Sequence, residues 1–339
     1  MSFLLRQIAI HELIKDSEQA EANLFLSQQL SPTDEMSSQL VEKLNDIFDQ
    51  KSDTLQGVFS TPEDALFPGY YHDLVEEDFS SEAFLSFSRE SMQALQLSLQ
   101  GVVGAKGGYL VYCDYESFDL RFLGVFLIRD TEGIVFKRKN TAEGFDIENT
   151  IYLNTDKLAM AGRINTTKFI GGNDRCLELI KHTKSQKTIS EYFINWIGLD
   201  QPESSKQLTT TFLQAVDELP LPVKPEQNSN MSAEEFKEEV INFAMTRPHK
   251  IINLQEFDNQ FYEGTPTAQN FMNDNEVPLE QEFRFDQNTL KRYYQVKAGA
   301  QGMYLSFNKN DLQAGRVIIE DDQIIIKNDL LLEKLLEQL

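Results

Sequence analysis

Tyr109-Leu-Val-Tyr-Cys-Asp-Tyr115 and Phe118-Asp-Leu-Arg-Phe-Leu-Gly-Val-Phe-Leu-Ile128 are two runs dense in aromatic and branched residues, parted by Glu116-Ser117. Short apolar runs bounded by polar breaks read as β-strands. The polar stretch Arg129–Gly133 closes the second run, and Ile134–Lys139 and Thr150–Leu153 read as further strands. A parallel crossover takes a dozen residues or more, and these connections are shorter, so the strands predict an antiparallel sheet.

Helices are expected on either side of it. Upstream, Phe84, Phe87, Met92, Leu95 and Leu99 recur at helical spacing after Ser80 or Ser81, and Gly101 is the expected stop. The glycines of Gly101-Val-Val-Gly104-Ala-Lys-Gly107-Gly108 follow a helix and precede a strand, the reverse of a dinucleotide loop, and they lack a Gly-Lys-Ser/Thr ending. They read as helix termination and a turn. The first segment of the chain reads as helical, with Ser31-Pro32-Thr33-Asp34 as N-cap and first-turn proline before Leu40, Leu44, Ile47 and Phe48. Downstream, Ile189, Phe193, Trp196 and Ile197 share a helix face that Gly198 ends, and Leu208, Phe212, Ala215 and Leu219 share another.

Pro220, Pro222 and Pro225 mark a boundary, and Ser232-Ala-Glu-Glu235 has the form of a capping box that restarts a helix. Residues 255–285 give no clear pattern. Gly302–Phe307, Arg316–Ile319 and Gln323–Ile326 read as strands, with Asp321-Asp322 at a tight turn. Leu332, Leu335, Leu336 and Leu339 line one side of a last helix, as suits a domain core or a homodimer interface. The expected fold class is α+β. Residues 1–219 would form an N-terminal domain with an antiparallel sheet and flanking helices, 220–230 a proline-rich linker, and 231–339 a smaller α+β domain.

Hydrophobic residues are 41% of the 339, enough for packed cores, and the longest apolar run, Phe122–Ile128, has strand length. A membrane-spanning helix needs roughly 20 such residues. Met1-Ser2-Phe3-Leu4-Leu5-Arg6-Gln7 soon turns polar without a signal-peptide core, which predicts a soluble cytosolic chain. Cys113 and Cys176 sit in separate apolar segments and read as reduced core thiols. His11, His72, His182 and His249 are not at metal-ligand spacing to one another or to a cysteine, so neither metal nor cofactor is expected. Glu235-Phe236-Lys237 resembles the end of a nuclease triad, but its helical pattern would not let those groups converge.

The net charge of −23 opposes wrapping of a polyanion, yet it is unevenly spread. Residues 1–100 hold 5 basic and 18 acidic groups (−13), 101–200 hold 13 of each, and 201–339 hold 13 and 23 (−10). Within the neutral middle, Arg163, Lys168, Arg175, Lys181, Lys184 and Lys187 face only Asp174 and Glu178, a net of +4. Lys137-Arg138-Lys139 is a second cluster. Such cations can neutralise phosphates, and if 181–187 is helical its lysines lie near one face. An ordinary solvated helix face would look the same.

Several segments carry a family resemblance. Gln7-Ile-Ala-Ile-His11-Glu-Leu-Ile-Lys15, Gly57-Val-Phe-Ser60, Phe84-Leu-Ser-Phe-Ser88 and Gly108-Tyr-Leu-Val-Tyr-Cys113 resemble those of the bacterial nucleoid-associated NdpA/YejK family. So do Tyr152-Leu-Asn-Thr-Asp156, Ala161-Gly-Arg163-Ile164, Ser190-Glu-Tyr-Phe-Ile-Asn-Trp-Ile-Gly198, Leu213-Gln-Ala-Val-Asp217 and Gly302-Met-Tyr-Leu-Ser-Phe307. The resemblance spans nearly the full length. It implies a nucleoid location, no enzymatic activity, and nucleic-acid binding directly or through partners. That family is densely basic before its central helix, whereas this chain has Thr183, Ser185 and Gln186 between its lysines. Fewer cations release fewer counterions, so the expected binding is weaker and falls steeply with salt.

The reading is a nucleoid-associated, non-enzymatic protein that binds double-stranded DNA, or RNA in competition, largely independently of sequence. Lys168, Arg175, Lys181, Lys184 and Lys187 are the expected phosphate contacts, with Lys137, Arg138, Lys139 and Arg163 as a second patch. The rival is an acidic adaptor for a DNA-processing enzyme such as a topoisomerase, motivated by the −13 of residues 1–100.

Overall fold

In the computed structural model the two aromatic runs form β4 (Gly108–Ser117) and β5 (Leu120–Ile128), paired along their whole length from Tyr109↔Ile128 to Ser117↔Leu120. The structure describes residues 3–51, 54–61, 64–138, 145–153, 158–173, 175–180, 187–224, 229–293, 295–308, 311–312 and 314–337. The chain folds as two compact units, Met1–Ser205 and Lys206–Leu339.

The first unit is built on an eight-stranded antiparallel sheet. Its other strands are β1 (Phe3–Ile14), β2 (Asn23–Phe25), β3 (Thr54–Phe59), β8 (Met160–Asn165), β9 (Leu177–Ile180) and β10 (Leu199–Ser204), in the order β10-β3-β9-β8-β5-β4-β1-β2. Both faces are covered. Leu110, Tyr112, Leu123 and Val125 pack against α2 (Leu66–Glu76), α3 (Ser81–Ser98) and α5 (Lys187–Ile197). The alternating residues Val111, Cys113, Tyr115 and Phe122 pack against Val41, Leu44 and Phe48 of α1 (Glu35–Gln50). A sheet buried on both sides needs apolar residues at successive positions, which is why these strands read as unbroken runs.

Several boundaries differ from expectation for local reasons. The turn between β4 and β5 is Phe118-Asp119, both at positive φ, so an aromatic residue that looks like strand sits in a tight primed turn. Asp34, not Ser31, caps α1 by accepting the Ser37 N–H at 2.9 Å, while the Ser31 N–H is held by the Ile8 carbonyl of β1. The first segment is therefore not helical from its start; β1 comes first, carrying residues of high helix propensity. α3 begins at the expected cap, Ser80, and Gly198 ends α5 in the left-handed region (φ 71). A Cβ there would meet Pro68 at 2.7 Å and Ser60 Oγ at 2.8 Å.

Between β5 and β8 the chain leaves the sheet as a separate two-stranded ribbon, β6 (Asp130–Arg138) with β7 (Phe145–Leu153). Asp130 pairs with Leu153 at its base and Arg138 with Phe145 at its far end. Nine residues a side make it roughly 30 Å long at a strand rise of about 3.3 Å. The sequence pattern alone places both strands in the main sheet, so their separation from it is a correction.

The second unit has its own core. α6 (Ser205–Glu218) contributes Leu208, Phe212 and Val216, which cluster with Phe236 and Val240 of α7 (Ala233–Met245), and with Phe257 and Phe261 of α8 (Leu254–Phe261). The predicted capping box is present, with Ser232 Oγ accepting the Glu235 N–H and Glu235 accepting the Ser232 N–H. Within the proline-bearing stretch, β11 (Val223–Lys224) pairs with β12 (Ser229–Asn230), and β13 (Ile251–Asn253) pairs with β14 (Glu282–Arg284) across the two ends of the segment that gives no clear sequence pattern. Further on come the hairpin β15 (Gln295–Ala300) with β16 (Met303–Asn308), the hairpin β17 (Val317–Ile319) with β18 (Ile324–Ile326), and a terminal helix, Asp329–Leu336. Among the described residues no helix is long and apolar enough to cross a membrane.

Candidate nucleic-acid interface

The cations named from sequence fall into three groups. Arg163, on β8 in the middle of the sheet, is 0% exposed. Its guanidinium donates to Glu178 Oε2 at 2.7 Å, Asp49 Oδ1 at 3.0 Å and Asn45 Oδ1 at 2.9 Å, and lies over Phe48 and Phe122. The Tyr115 hydroxyl donates to the same Asn45 oxygen at 2.7 Å. Burial disfavours the charge, but Asp49 and Glu178 more than offset it and raise the pKa above the usual arginine value. This arginine ties α1, β4, β8 and β9 together and reaches no solvent, so it is corrected from phosphate contact to core cation.

Arg175 is also engaged within the first unit. Its Nη1 lies 3.0 Å from Glu203 Oε2 and donates to the Gln201 carbonyl at 3.1 Å, which joins the start of β9 to β10. Lys168 is half-buried on the short helix α4 (Thr166–Ile170), where Asn165 caps its N–H at 3.0 Å.

Of the six remaining cations, three are placed by their backbone positions. Lys137 and Arg138 close the far end of β6, opposite Asp146 and Phe145. Lys187 opens α5. Lys139, Lys181 and Lys184 lie outside the described residues. The structure thus removes Arg163 from the basic set and ion-pairs Arg175, and it places Lys168 on α4, Lys137 and Arg138 at the ribbon end and Lys187 at the start of α5. Sequence reasoning misses the partners Asn45, Asp49 and Glu178. The available signal is a lone arginine in the otherwise apolar Ala161-Gly-Arg-Ile164, a setting that demands a buried counter-charge.

Other constellations resolve into structural roles. The amides of Gly101, Gly104 and Gly107 donate to the carbonyls of Ala20, Ser17 and Lys15, so the glycine loop spends them on the chain after β1 rather than on a phosphate. His11 is buried: its Nδ1 accepts the Ser27 N–H at 3.1 Å and its Nε2 lies 3.0 Å from Ser88 Oγ. The Ser88 hydroxyl donates to the Leu85 carbonyl, so its proton is not aimed at the imidazole. Desolvation, with a lesser push from Arg89, lowers His11 to about 4 and keeps it neutral. Cys113 and Cys176 are free and buried, and burial pushes the Cys113 thiol up. Glu235 is spent on its cap and on Lys224, and Lys237 pairs with Asp217, so neither forms a metal-binding triad. Among the described residues, one group of side chains, the exposed His72, Asp73 and Glu76 on α2, could bring three ligand atoms together.

Comparison with known proteins adds what geometry alone does not. A family model described as nucleoid-associated protein YejK matches residues 9–336. A nucleoid-associated protein of Pseudomonas entomophila (strain L48) is 22% identical over 330 residues, covering 93% of this chain and 95% of the relative. One from Yersinia pseudotuberculosis serotype IB (strain PB1/+) is 24% identical over 313 residues, covering 91% and 89%. One from Photorhabdus laumondii subsp. laumondii is 23% identical over the same length, again covering 91% and 89%.

Proposed function

The chain belongs to the YejK family of nucleoid-associated proteins, and from that premise we propose that it is a non-enzymatic factor that binds duplex DNA largely independently of sequence. The observation that carries this reading is the family match over residues 9–336, which covers both compact units. Supporting the mode of contact is the ribbon β6–β7, with Lys137 and Arg138 at its far end and Lys139 next in the chain. A two-stranded ribbon has the width of a DNA major groove, and lysine and arginine on such an element meet phosphates whatever the sequence. Lys168, Lys181, Lys184 and Lys187 form the second contact. Arg163 and Arg175 take no part, being committed to Asp49, Glu178 and Glu203.

The experiment is competition electrophoresis of the full chain on a labelled duplex. Unlabelled duplexes of unrelated sequence should compete within about threefold of one another. Discrimination of a hundredfold or more would replace this reading with specific base readout.

A second reading is favoured by the acidic first hundred residues. Their −13 suits docking on the basic DNA track of an enzyme such as a topoisomerase. A pull-down from nuclease-treated lysate separates the two. Retention of a DNA-processing enzyme supports the adaptor, and loss of every partner counts against it.

A further inference from the structure

Residues 287–310 hold four cations, Lys291, Arg292, Lys297 and Lys309, and no aspartate or glutamate, the longest acid-free run in a chain of net charge −23. Their net of +4 equals that of Arg163–Lys187, but here aromatic residues stand between the cations: Tyr293, Tyr294, Tyr304 and Phe307. Lys291 and Arg292 are exposed on the last turn of the short helix Gln287–Tyr293, and among the described residues neither has an acidic partner. The flanking acids are engaged elsewhere. Asp286 is buried and accepts the Thr289 N–H at 2.7 Å, and Asp311 accepts from Arg316 at 2.8 Å. Tyr293 donates its hydroxyl to Asp217, and Tyr294 and Lys309 lie outside the described residues.

The helix leads into the hairpin β15–β16, which shares no ladder with any other sheet. Gln301 and Gly302 at its tip both take positive φ (51° and 84°), a tight primed turn that fixes the register. That register pairs Gly299 with Tyr304 and, at the next alternate position, Lys297 with Ser306, so all four positions fall on one face of the hairpin. A Cβ at Gly299 would meet Tyr304 Cδ2 at 3.4 Å, so the tyrosine ring rests against the bare backbone of the glycine. The rest of the ring is open: Tyr304 is 70% exposed, more than Phe25 at 62% or Phe118 at 42%. Leu305 and Phe307, on the alternate face, are half-buried and line a cleft with Val317 and Ile326.

An aromatic residue across from a strand glycine steadies the pair, which accounts for the presence of Tyr304. It does not account for cations without acids on either side, in a chain with 54 acidic groups against 31 basic ones. We propose that the face of β15–β16 carrying Tyr304, together with Lys291, Arg292 and Lys297, binds single-stranded nucleic acid. An unpaired base stacks on the Tyr304 ring and the cations meet the phosphates beside it. Exposed aromatic rings set among cations are what single-strand binding uses, because every unpaired base offers a π face whatever its identity. In a duplex those faces are covered by neighbouring base pairs, and an acidic protein segment would satisfy the cations but not the ring. The site lies in the second unit, whereas the ribbon β6–β7 belongs to the first, so this inference does not rest on the duplex contact proposed there.

The test is fluorescence anisotropy of the full chain with labelled oligo(dT) and oligo(rU) at low salt, beside a labelled duplex. At least one single strand should bind, and the pair shows whether DNA or RNA is preferred. Tyr304→Leu keeps bulk over Gly299 but has no π face, and it should weaken single-strand binding about tenfold or more with an unchanged far-UV spectrum. Tyr304→Phe should stay within about twofold of the unaltered chain, since it keeps the stacking face. Lys291→Gln/Arg292→Gln should lower the log–log salt slope by about 1.4, two phosphates at ~0.7 each for single strands. That pair decides the matter alone if Tyr304→Leu does not fold. Lys137→Ala/Arg138→Ala should leave the single-strand affinity unchanged, so a chain that holds oligo(dT) through Tyr304 but no duplex would sink the duplex reading and keep this one. No binding of either single strand, an unchanged affinity in Tyr304→Leu, an unchanged slope in Lys291→Gln/Arg292→Gln, or duplex binding weakened by Tyr304→Leu as much as single-strand binding would each overturn the proposal.

Discussion

Arg163 lies on β8 in the middle of the eight-stranded sheet, and Lys137 and Arg138 lie at the far end of a ribbon that shares no ladder with that sheet. All three come from the same charge-neutral third of the sequence. Arg163 gains its place from what converges on it: two carboxylates, an amide oxygen and two aromatic faces. The ribbon cations are placed by register at the end of an element. A count of basic residues merges these populations. Separating them leaves fewer cations for a phosphate backbone than the +4 of Arg163–Lys187 suggests.

The sharpest way to break this contrast is to remove the core cation. Arg163→Met should cost about 2–4 kcal/mol, toward the lower end of what breaking a buried pair costs because Asp49 and Glu178 keep some contact with water. Urea unfolding measures it, and DNA affinity of the folded protein should not change. A loss of stability below about 0.5 kcal/mol, the range of ordinary surface substitutions, would show that Arg163 is not part of the core.

His11 sharpens the same point from the other side, since burial without a carboxylate partner leaves an imidazole neutral. Its folded pKa of about 4 lies below the ~6.5 of the unfolded chain, so the unfolded state takes up the proton first. Stability from this group is complete above pH ~6.5 and is lost as pH falls toward 4, at up to ~1.4 kcal/mol per pH unit. Unfolding measured at pH 7 and pH 5 should show a shallower decline for His11→Gln than for the unaltered chain; equal declines would contradict the buried neutral form. Arg175→Ala comes next, at about 1–2 kcal/mol, because it strips partners from Glu203 and the Gln201 carbonyl. The smallest stability effect belongs to Lys137→Ala/Arg138→Ala, within about 0.5 kcal/mol by thermal unfolding; a larger loss would move those residues into the structural group.

Much of the fold is legible where one element speaks for itself. The strands β4 and β5, the Ser80 cap of α3, the stop at Gly198 and the Ser232–Glu235 capping box follow from local residue types. What escapes a reading of the sequence depends on distant chain. β1 is hidden because Ala9, His11, Glu12 and Leu13 suit a helix as well as a strand, and the neighbouring β4 decides. Asp49 is 114 residues from Arg163 in sequence, so no spacing rule could pair them. The ribbon looks like ordinary sheet strands because pairing within a hairpin and pairing into a sheet leave the same local pattern.

The central proposal is that the cations of the ribbon end and of residues 181–187, not the buried Arg163, contact DNA. Fluorescence anisotropy of a labelled duplex across a salt series tests it most directly, comparing the unaltered chain with Lys137→Ala/Arg138→Ala and with Lys181→Ala/Lys184→Ala/Lys187→Ala. The account predicts binding that weakens steeply with salt, and a log–log slope that falls by about 0.9 for each phosphate contact removed. No binding at low salt, or slopes and affinities unchanged in both variants, would contradict it.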